Sequence, residues 1–193
     1  MKRIVVFCGS SLGFNPIYKE AAVALGNYFV HNNIGLVYGG AKIGMMGIIS
    51  DTILDQNGEV IGVIPKLLEK EEVVHAGVEE MIVCKKMSER KVIMSKLVDG
   101  YITLPGGFGT LDELFEALTL NQLHIEQKPI GLLNVNGFFD ATLSQLDKMV
   151  EEGYLKQTNR NLLLVAKNVD ELMYKMDNYQ APKIAQVINK VVN

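Results

Sequence analysis

The chain has 193 residues, of which 48% are hydrophobic and 21% charged, and this predicts a single globular domain over 1–193. A net charge of −3 argues against nucleic acid as a partner, and two cysteines are too few for a disulfide scaffold and suit the cytoplasm. No apolar run approaches the roughly 20 residues that span a bilayer, so we expect neither a membrane partner nor a signal peptide.

Short apolar runs alternate with longer amphipathic ones along the chain. The short runs predict strands at 4–7, 34–38, 60–64, 81–83, 101–104, 129–135 and 162–165. Helices are predicted from residue 15, at 44–55, 87–98, 110–123 and 138–151, and once or twice more near the C-terminus, with an interruption at Pro182. This alternation predicts an α/β fold with a parallel sheet of about seven strands and helices on both faces.

Local signals mark several boundaries. Asn15-Pro16 is typical of a helix start, with asparagine as the cap and proline in the first turn. Asn57-Gly58 is typical of a helix end. Residues 66–77 predict an irregular connection, with the charged run 69–72 exposed to solvent. Cys8 and Cys84 each end an apolar run, which predicts two buried thiols.

Ligands of parallel sheets bind beyond the carboxyl ends of the strands, so the loops there are the first places to look. The loop after strand 101–104 is the most informative, because Gly106, Gly107 and Gly109 with Thr110 lie where a strand turns into a helix. Glycine lets a ligand approach the backbone, and the free N–H groups of a helix start attract anions such as phosphate. The other three loops are Cys8-Gly9-Ser10-Ser11, Gly39-Gly40-Ala41-Lys42 and residues 86–91.

Each loop also has a purely structural interpretation. Thr110-x-x-Glu113 has the pattern of a capping box, and Ser88 could cap the helix 87–98. Gly44 and Gly47 suit tight packing of a helix on the sheet. Neither a Walker A loop nor a G-x-G-x-x-G pattern is present, and the three histidines have no metal-ligand spacing, so no metal is expected.

Arg90 is the most informative charged residue. It would lie in the first turn of the helix 87–98, where a cation opposes the helix dipole. A nearby phosphate or carboxylate would offset that cost, and arginine is suited to bidentate contacts with oxyanions. The alternative is an ordinary surface position.

Two motifs resemble those of the LOG (lonely guy) family. Residues 105–113 have its Pro-Gly-Gly-x-Gly-Thr-x-x-Glu signature, and Met87-Ser88-Glu89-Arg90-Lys91 resembles its Met-x-x-Arg-Lys motif. Segments at 8–11, 38–40 and 127–134 are similar in the same order, so the resemblance covers about residues 3–155. Ala41 stands where many members have glycine, and Ser88 where histidine is frequent.

The resemblance implies a Rossmann-like, doubly wound parallel sheet, a homodimer and a hydrolase. Its implied reaction cleaves the N-glycosidic bond of cytokinin or other purine riboside 5'-monophosphates, giving free base and ribose 5-phosphate without a cofactor. It implies that Arg90 and Glu113 are catalytic. The substrate-binding residues it implies are Ser10, Gly40, Met87, Arg90, Lys91, Gly106, Gly107, Gly109, Thr110 and Glu113.

Two other functions are open at this stage. The same loops would serve a non-catalytic sensor or carrier that binds AMP-like ligands without turnover. Many family members carry the label lysine decarboxylase, but a pyridoxal-linked lysine would need a context such as Ser-x-His-Lys, which the sequence lacks. The base is also open among prenylated adenine, adenine and other purines. A prenyl group would need an apolar pocket, for which Met45, Met46, Met87 and Leu123 are candidates.

Overall fold

The computed structural model describes residues 1–69 and 74–182. Its strands are β1 (Arg3–Phe7), β2 (Gly35–Tyr38), β3 (Val60–Pro65), β4 (Glu80–Cys84), β5 (Gly100–Thr103), β6 (Ile130–Leu133) and β7 (Leu163–Ala166). Its helices are α1 (Pro16–His31), α2 (Gly44–Leu54), α3 (Lys66–Glu69), α4 (Met87–Lys96), α5 (Phe108–Gln122), α6 (Asp140–Glu151), α7 (Gln157–Arg160) and α8 (Val169–Asp177). None of the helices described is long and apolar enough to cross a membrane.

All seven strands form one parallel sheet in the order β4-β3-β2-β1-β5-β6-β7. The chain winds outward from β1 to β4, returns to place β5 on the other side of β1, and then winds outward to β7. This is the doubly wound, Rossmann-like arrangement that the sequence predicts. The order reverses between β1 and β5, so the loops after these strands diverge and leave a crevice at their carboxyl ends.

Two apolar layers bury the two faces of the sheet. Ile4 and Val6 of β1 pack in the layer that α1, α2 and α8 cover, whereas Val5 and Phe7 pack in the layer under α4, α5 and α6. All four side chains are almost completely buried, which explains why β1 is apolar from Ile4 to Phe7 rather than alternating. Met94 of α4 belongs to the second layer as well.

The starts of α1, α4 and α5 confirm one of the three predicted helix caps and contradict the other two. Asn15 caps α1 as predicted, because its Oδ1 accepts a hydrogen bond from the Ile17 N–H at 3.1 Å. The capping box in α5 is wrong: α5 begins at Phe108, before Thr110, and Thr110 is buried. The cap at Ser88 is also wrong, since α4 begins one residue earlier and its N-cap position makes no side-chain bond.

The other departures from the predicted elements are local. The helix expected at 138–151 begins at Asp140, because a 3-10 turn over Val135–Gly137 precedes it, with Asn136 at φ 51°. Helices α3 and α7 are not predicted, and both have only four residues. The charged run at 69–72 and any helix after Pro182 lie outside the residues whose side chains are described.

Candidate active site

Arg90 of α4 and Glu113 of α5 form a buried ion pair. Arg90 Nη1 donates to Glu113 Oε1 at 3.1 Å, and the two side chains are 12% and 11% exposed. The surface position considered for Arg90 is therefore wrong. The cation lies in the first turn of its helix as predicted, and the carboxylate that offsets its position comes from a different helix.

A backbone carbonyl of β3 binds the guanidinium of Arg90, which also packs closely against Gly39. Its Nε donates to the carbonyl oxygen of Val63 in β3 at 2.9 Å. A Cβ on Gly39, just after β2, would overlap Arg90 Nη2, so this close approach requires glycine. The sequence carries no signal for the Val63 contact, because any residue supplies a carbonyl oxygen.

Charges in this region act on one another strongly because water is largely excluded. Burial raises the pKa of Glu113, while the cations Arg90 and Lys91 oppose that rise. The Cys8 thiol is buried as predicted, and its burial together with the Glu113 carboxylate raises the pKa of Cys8. Cys8 is therefore a neutral thiol rather than a nucleophile at neutral pH.

The N-terminus of α5 has no cap among the described side chains. Gly107 occupies the N-cap position, and Leu111 is bonded through its N–H to the Gly107 carbonyl at 3.2 Å. The amides of Phe108, Gly109 and Thr110 precede that first helical bond, so the helix itself supplies no acceptor for them, and all three residues line a cavity. Such an end carries partial positive charge and suits an anion.

The three glycines of this loop have different roles. A Cβ at Gly106 would overlap the Thr110 hydroxyl and come within 2.8 Å of the Gly9 amide nitrogen, so packing alone requires glycine there. A Cβ at Gly107 or Gly109 would meet nothing within 4 Å. These two glycines therefore border open space, as an approach by a ligand would require.

One cavity of about 350 Å³ holds both the ion pair and the open start of α5. It lies at the carboxyl ends of the central strands, in the crevice where the strand order reverses. A neighbouring cavity of about 270 Å³ shares Gly9, Ser10 and Gly107 with it and extends to Tyr18 and Phe138. Ten of the fifteen described lining residues come from the four predicted loops: Cys8, Gly9, Ser10, Gly39, Ala41, Arg90, Gly107, Phe108, Gly109 and Thr110. The others are Val6, Met46, Ile64, Leu68 and Glu113.

A larger cavity, of about 1000 Å³, runs along α1 to the loops after β6 and β7. None of the predicted site residues lines it, and the buried ion pair lies elsewhere. We place the site in the smaller crevice because it combines a buried charge pair with free backbone donors.

The crevice brings together most, though not all, of the predicted site residues. Gly106 borders the neighbouring cavity instead. Gly40, Met87 and Lys91 are not part of the described lining. Gly40 has φ 77° and faces Met81, and Met87 is 48% exposed. The Lys91 ammonium is paired with Asp112 at 2.7 Å and with Glu116.

Several lining residues were not predicted as site residues. Cys8 and Gly39 lie in loops that the strand rule selects, but they are not among the predicted site residues. Leu68 comes from α3, which the sequence does not predict. Of the prenyl-pocket candidates, Met46 lines the cavity, Met45 is in the core, and Leu123 is exposed at the end of α5.

Comparison with known proteins shows which family the chain belongs to. The family described as possible lysine decarboxylase matches residues 46–176. The chain is 47% identical over 189 residues to the cytokinin riboside 5'-monophosphate phosphoribohydrolase LOG1 of Arabidopsis thaliana, covering 98% of this chain and 88% of that protein. It is 43% identical over 190 residues to the probable phosphoribohydrolase LOGL2 of Oryza sativa subsp. japonica, covering 98% and 78%. The chain belongs to the LOG family.

Solved structures share the fold of this LOG-family chain at lower identity. A molybdenum cofactor binding protein from Rippkaea orientalis superimposes with a TM-score of 0.68 at 24% identity, covering 92% of this chain and 96% of that one. A Moco carrier protein from Chlamydomonas reinhardtii gives 0.66 at 20% identity, covering 91% and 94%. The family description mentions lysine decarboxylase, a reaction that would need a pyridoxal-linked lysine. The described residues that line the crevice include no lysine.

Proposed function

We propose that the chain hydrolyses the N-glycosidic bond of purine riboside 5'-monophosphates, releasing free base and ribose 5-phosphate. The observation that carries this proposal is the cavity that joins the uncapped start of α5 to the buried Arg90–Glu113 pair. The relatives that are 42–47% identical and named cytokinin riboside 5'-monophosphate phosphoribohydrolases support a hydrolase over a carrier.

The start of α5 binds the 5'-phosphate in this proposal. The amides of Phe108, Gly109 and Thr110 donate to its oxygens, and the helix dipole favours its charge. Glu113 lies five residues after Phe108, which is about 7 Å along the helix axis. That spacing suits a ribose bound between the phosphate at one end and Glu113 beside C1' at the other.

The Glu113 carboxylate acts at the ribose carbon. The C1'–N bond breaks with its electron pair leaving on the base, so positive charge develops on the ribose ring. An ionised Glu113 stabilises that charge in a site that excludes most water. The oxygen of a water molecule then bonds to C1', and the proton it releases passes, directly or through Glu113, to the departing base, so that neutral base leaves and Glu113 is again ionised.

Arg90 keeps Glu113 in place and ionised. Two of the guanidinium's five N–H donors are used on Val63 and Glu113, which fixes its plane. Because Arg90 lines the cavity, its remaining donors can bind the phosphate or an acceptor atom of the base. Binding the base would stabilise the leaving group, and binding the phosphate would orient the nucleotide.

Release of free base is the direct test of this function. Purified protein incubated with N6-isopentenyladenosine 5'-monophosphate and with AMP should yield base and ribose 5-phosphate, resolved by chromatography. Binding of AMP without release of base from either nucleotide would instead support the sensor or carrier. The ratio of the two rates would report the base preference.

The chain also acts as a homodimer in this proposal, and in the cytoplasm. Met87 and Val92 of α4 are about half exposed, as is Leu123 at the end of α5, and such apolar residues suit an interface. Met94 does not contribute, because it is buried in the core of its own chain. Light scattering should give about twice 21.4 kDa, and an active monomer would refute the dimer.

A further inference from the structure

Lys91 follows Arg90 on α4 and pairs with two carboxylates of α5. Its Nζ lies 2.7 Å from Asp112 Oδ2 and also contacts Glu116 Oε2. Asp112 precedes Glu113 in the sequence and Glu116 follows it by about one helical turn. Two successive cations of α4 thus pair with three carboxylates of α5, with Glu113 in the middle.

Lys91 and Glu113 both line a small pocket that is separate from the nucleotide cavity. This pocket has a volume of about 20 Å³, and Ser95, Tyr101 and Glu116 also line it. The nucleotide cavity is lined by Glu113 and Arg90, and Lys91 is not among its described lining residues. Glu113 therefore borders both spaces, whereas Lys91 is described only at the small pocket.

The charge of Lys91 is maintained by its partners. Burial opposes the charge, but the hydrogen bonds to Asp112 and Glu116 outweigh it and raise the pKa of Lys91. Loss of this cation would leave two uncompensated carboxylates beside Glu113, and like charges disfavour ionisation of a carboxyl group. The groups that face Glu113 are Arg90 and Lys91 from α4, Asp112 and Glu116 from its own helix, Cys8 from the end of β1 and Tyr101 from β5.

We propose that Lys91 is a positioning residue that holds Asp112 and Glu116 against α4 and thereby keeps Glu113 ionised and aligned with Arg90. This role is distinct from the substrate binding that the family resemblance implies for Lys91, and its effect on catalysis rests on the proposed function.

Charge-balance variants test this role through the pH dependence of activity. Because Asp112 and Glu116 are partly exposed and screened, Lys91→Met should lower kcat/KM roughly three- to tenfold on the acid limb of the pH profile and less than about twofold on its plateau. Lys91→Arg should keep the wild-type profile. Adding Asp112→Asn and Glu116→Gln to Lys91→Met should restore kcat/KM at acidic pH. Lys175→Met, which breaks the exposed pair with Glu171 on α8, is the matched control.

A spectroscopic measurement separates this inference from the proposed function. The carboxyl carbon of Glu113, assigned by comparison with Glu113→Gln, can be titrated by NMR whether or not the protein turns over a nucleotide. Its midpoint should rise in Lys91→Met and return in the triple variant. If Lys91→Met does not fold, Asp112→Asn/Glu116→Gln should lower the midpoint, because Lys91 is then unopposed.

Two results would overturn the inference. One is a Glu113 midpoint that none of these variants moves. The other is a loss in Lys91→Met that is equal at all pH values, raises KM and persists in the triple variant, because that pattern belongs to a residue that binds substrate. Absence of base release from every nucleotide, with the midpoint shifts present, would reject the proposed function and keep the electrostatic role of Lys91.

Discussion

The starts of α1 and α5 contrast in how they satisfy their free N–H groups. Asn15 caps α1 with its own side chain, at 3.1 Å from the Ile17 nitrogen, and Pro16 fills the first helical position. Gly107 occupies the same position in α5 and makes no side-chain bond. The first helix is complete in itself, whereas the second leaves its donors for a ligand beside a buried ion pair. An uncapped helix start lowers stability by a small amount, and here it marks the site.

The largest expected effect concerns the phosphate group that we propose binds at the start of α5. If the start of α5 binds the phosphate, the free nucleoside should be a far poorer substrate than its 5'-monophosphate. Charge-assisted hydrogen bonds contribute about 1.5–3 kcal/mol each, so the loss of two should lower kcat/KM by about two to four decades. Steady-state kinetics with AMP and adenosine measure this ratio. Similar values for the two would mean that the loop is only a turn.

Glu113→Gln tests the ion pair beside the open helix start. Glutamine keeps the size and hydrogen-bonding capacity but not the charge, and turnover should fall by about two to three orders of magnitude with folding intact. The measurement is single-turnover base release, with circular dichroism as the folding control. Near-normal turnover would show that the charge of Glu113 is not needed for the reaction.

The raised pKa of Glu113 predicts the direction of two pH effects. The acid limb of kcat/KM should lie above the usual value of 4.5, because the ionised form is required. The folded protein also holds the Glu113 proton more tightly than the unfolded chain does. The stabilisation from this bound proton is therefore largest below pH 4.5 and is lost as the pH rises through the pKa of Glu113 in the folded protein. Glu113→Gln should therefore gain stability relative to wild type on going from acid to neutral pH, as measured by thermal unfolding. A constant difference would contradict the burial effect.

The smallest predicted effect concerns the capped helix. Asn15→Ala removes the bond to Ile17 and should lower the free energy of unfolding by about 1 kcal/mol, as helix caps generally do. Urea denaturation measures this change. Because α1 is complete without a ligand, kcat/KM for the nucleotide should stay within about twofold of wild type. A large loss of activity would mean that the start of α1 takes part in the site.

The sequence predicts the fold well because its elements depend on local patterns. Strand β1 is apolar from Ile4 to Phe7 and α1 has its own cap, so both can be predicted from neighbouring residues alone. The motif residues Arg90 and Glu113 are found from the family resemblance, but their contact is not, because it depends on how α4 and α5 pack. The capping box fails for the same reason: the Glu113 side chain bonds to Arg90, and α5 starts at Phe108. The Val63 carbonyl that anchors Arg90 leaves no signature in the sequence.

The most direct test of the central claim gives α5 a cap like that of α1. Gly107→Asp fits the space, since a Cβ there meets nothing within 4 Å, and its carboxylate should occupy the donors that the phosphate needs. Measured with AMP and adenosine, kcat/KM for the nucleotide should fall to about the level of the nucleoside, with the nucleoside value unchanged, for a loss of roughly two decades or more. An equal loss for both substrates, or no loss for AMP, would contradict phosphate binding at the start of α5.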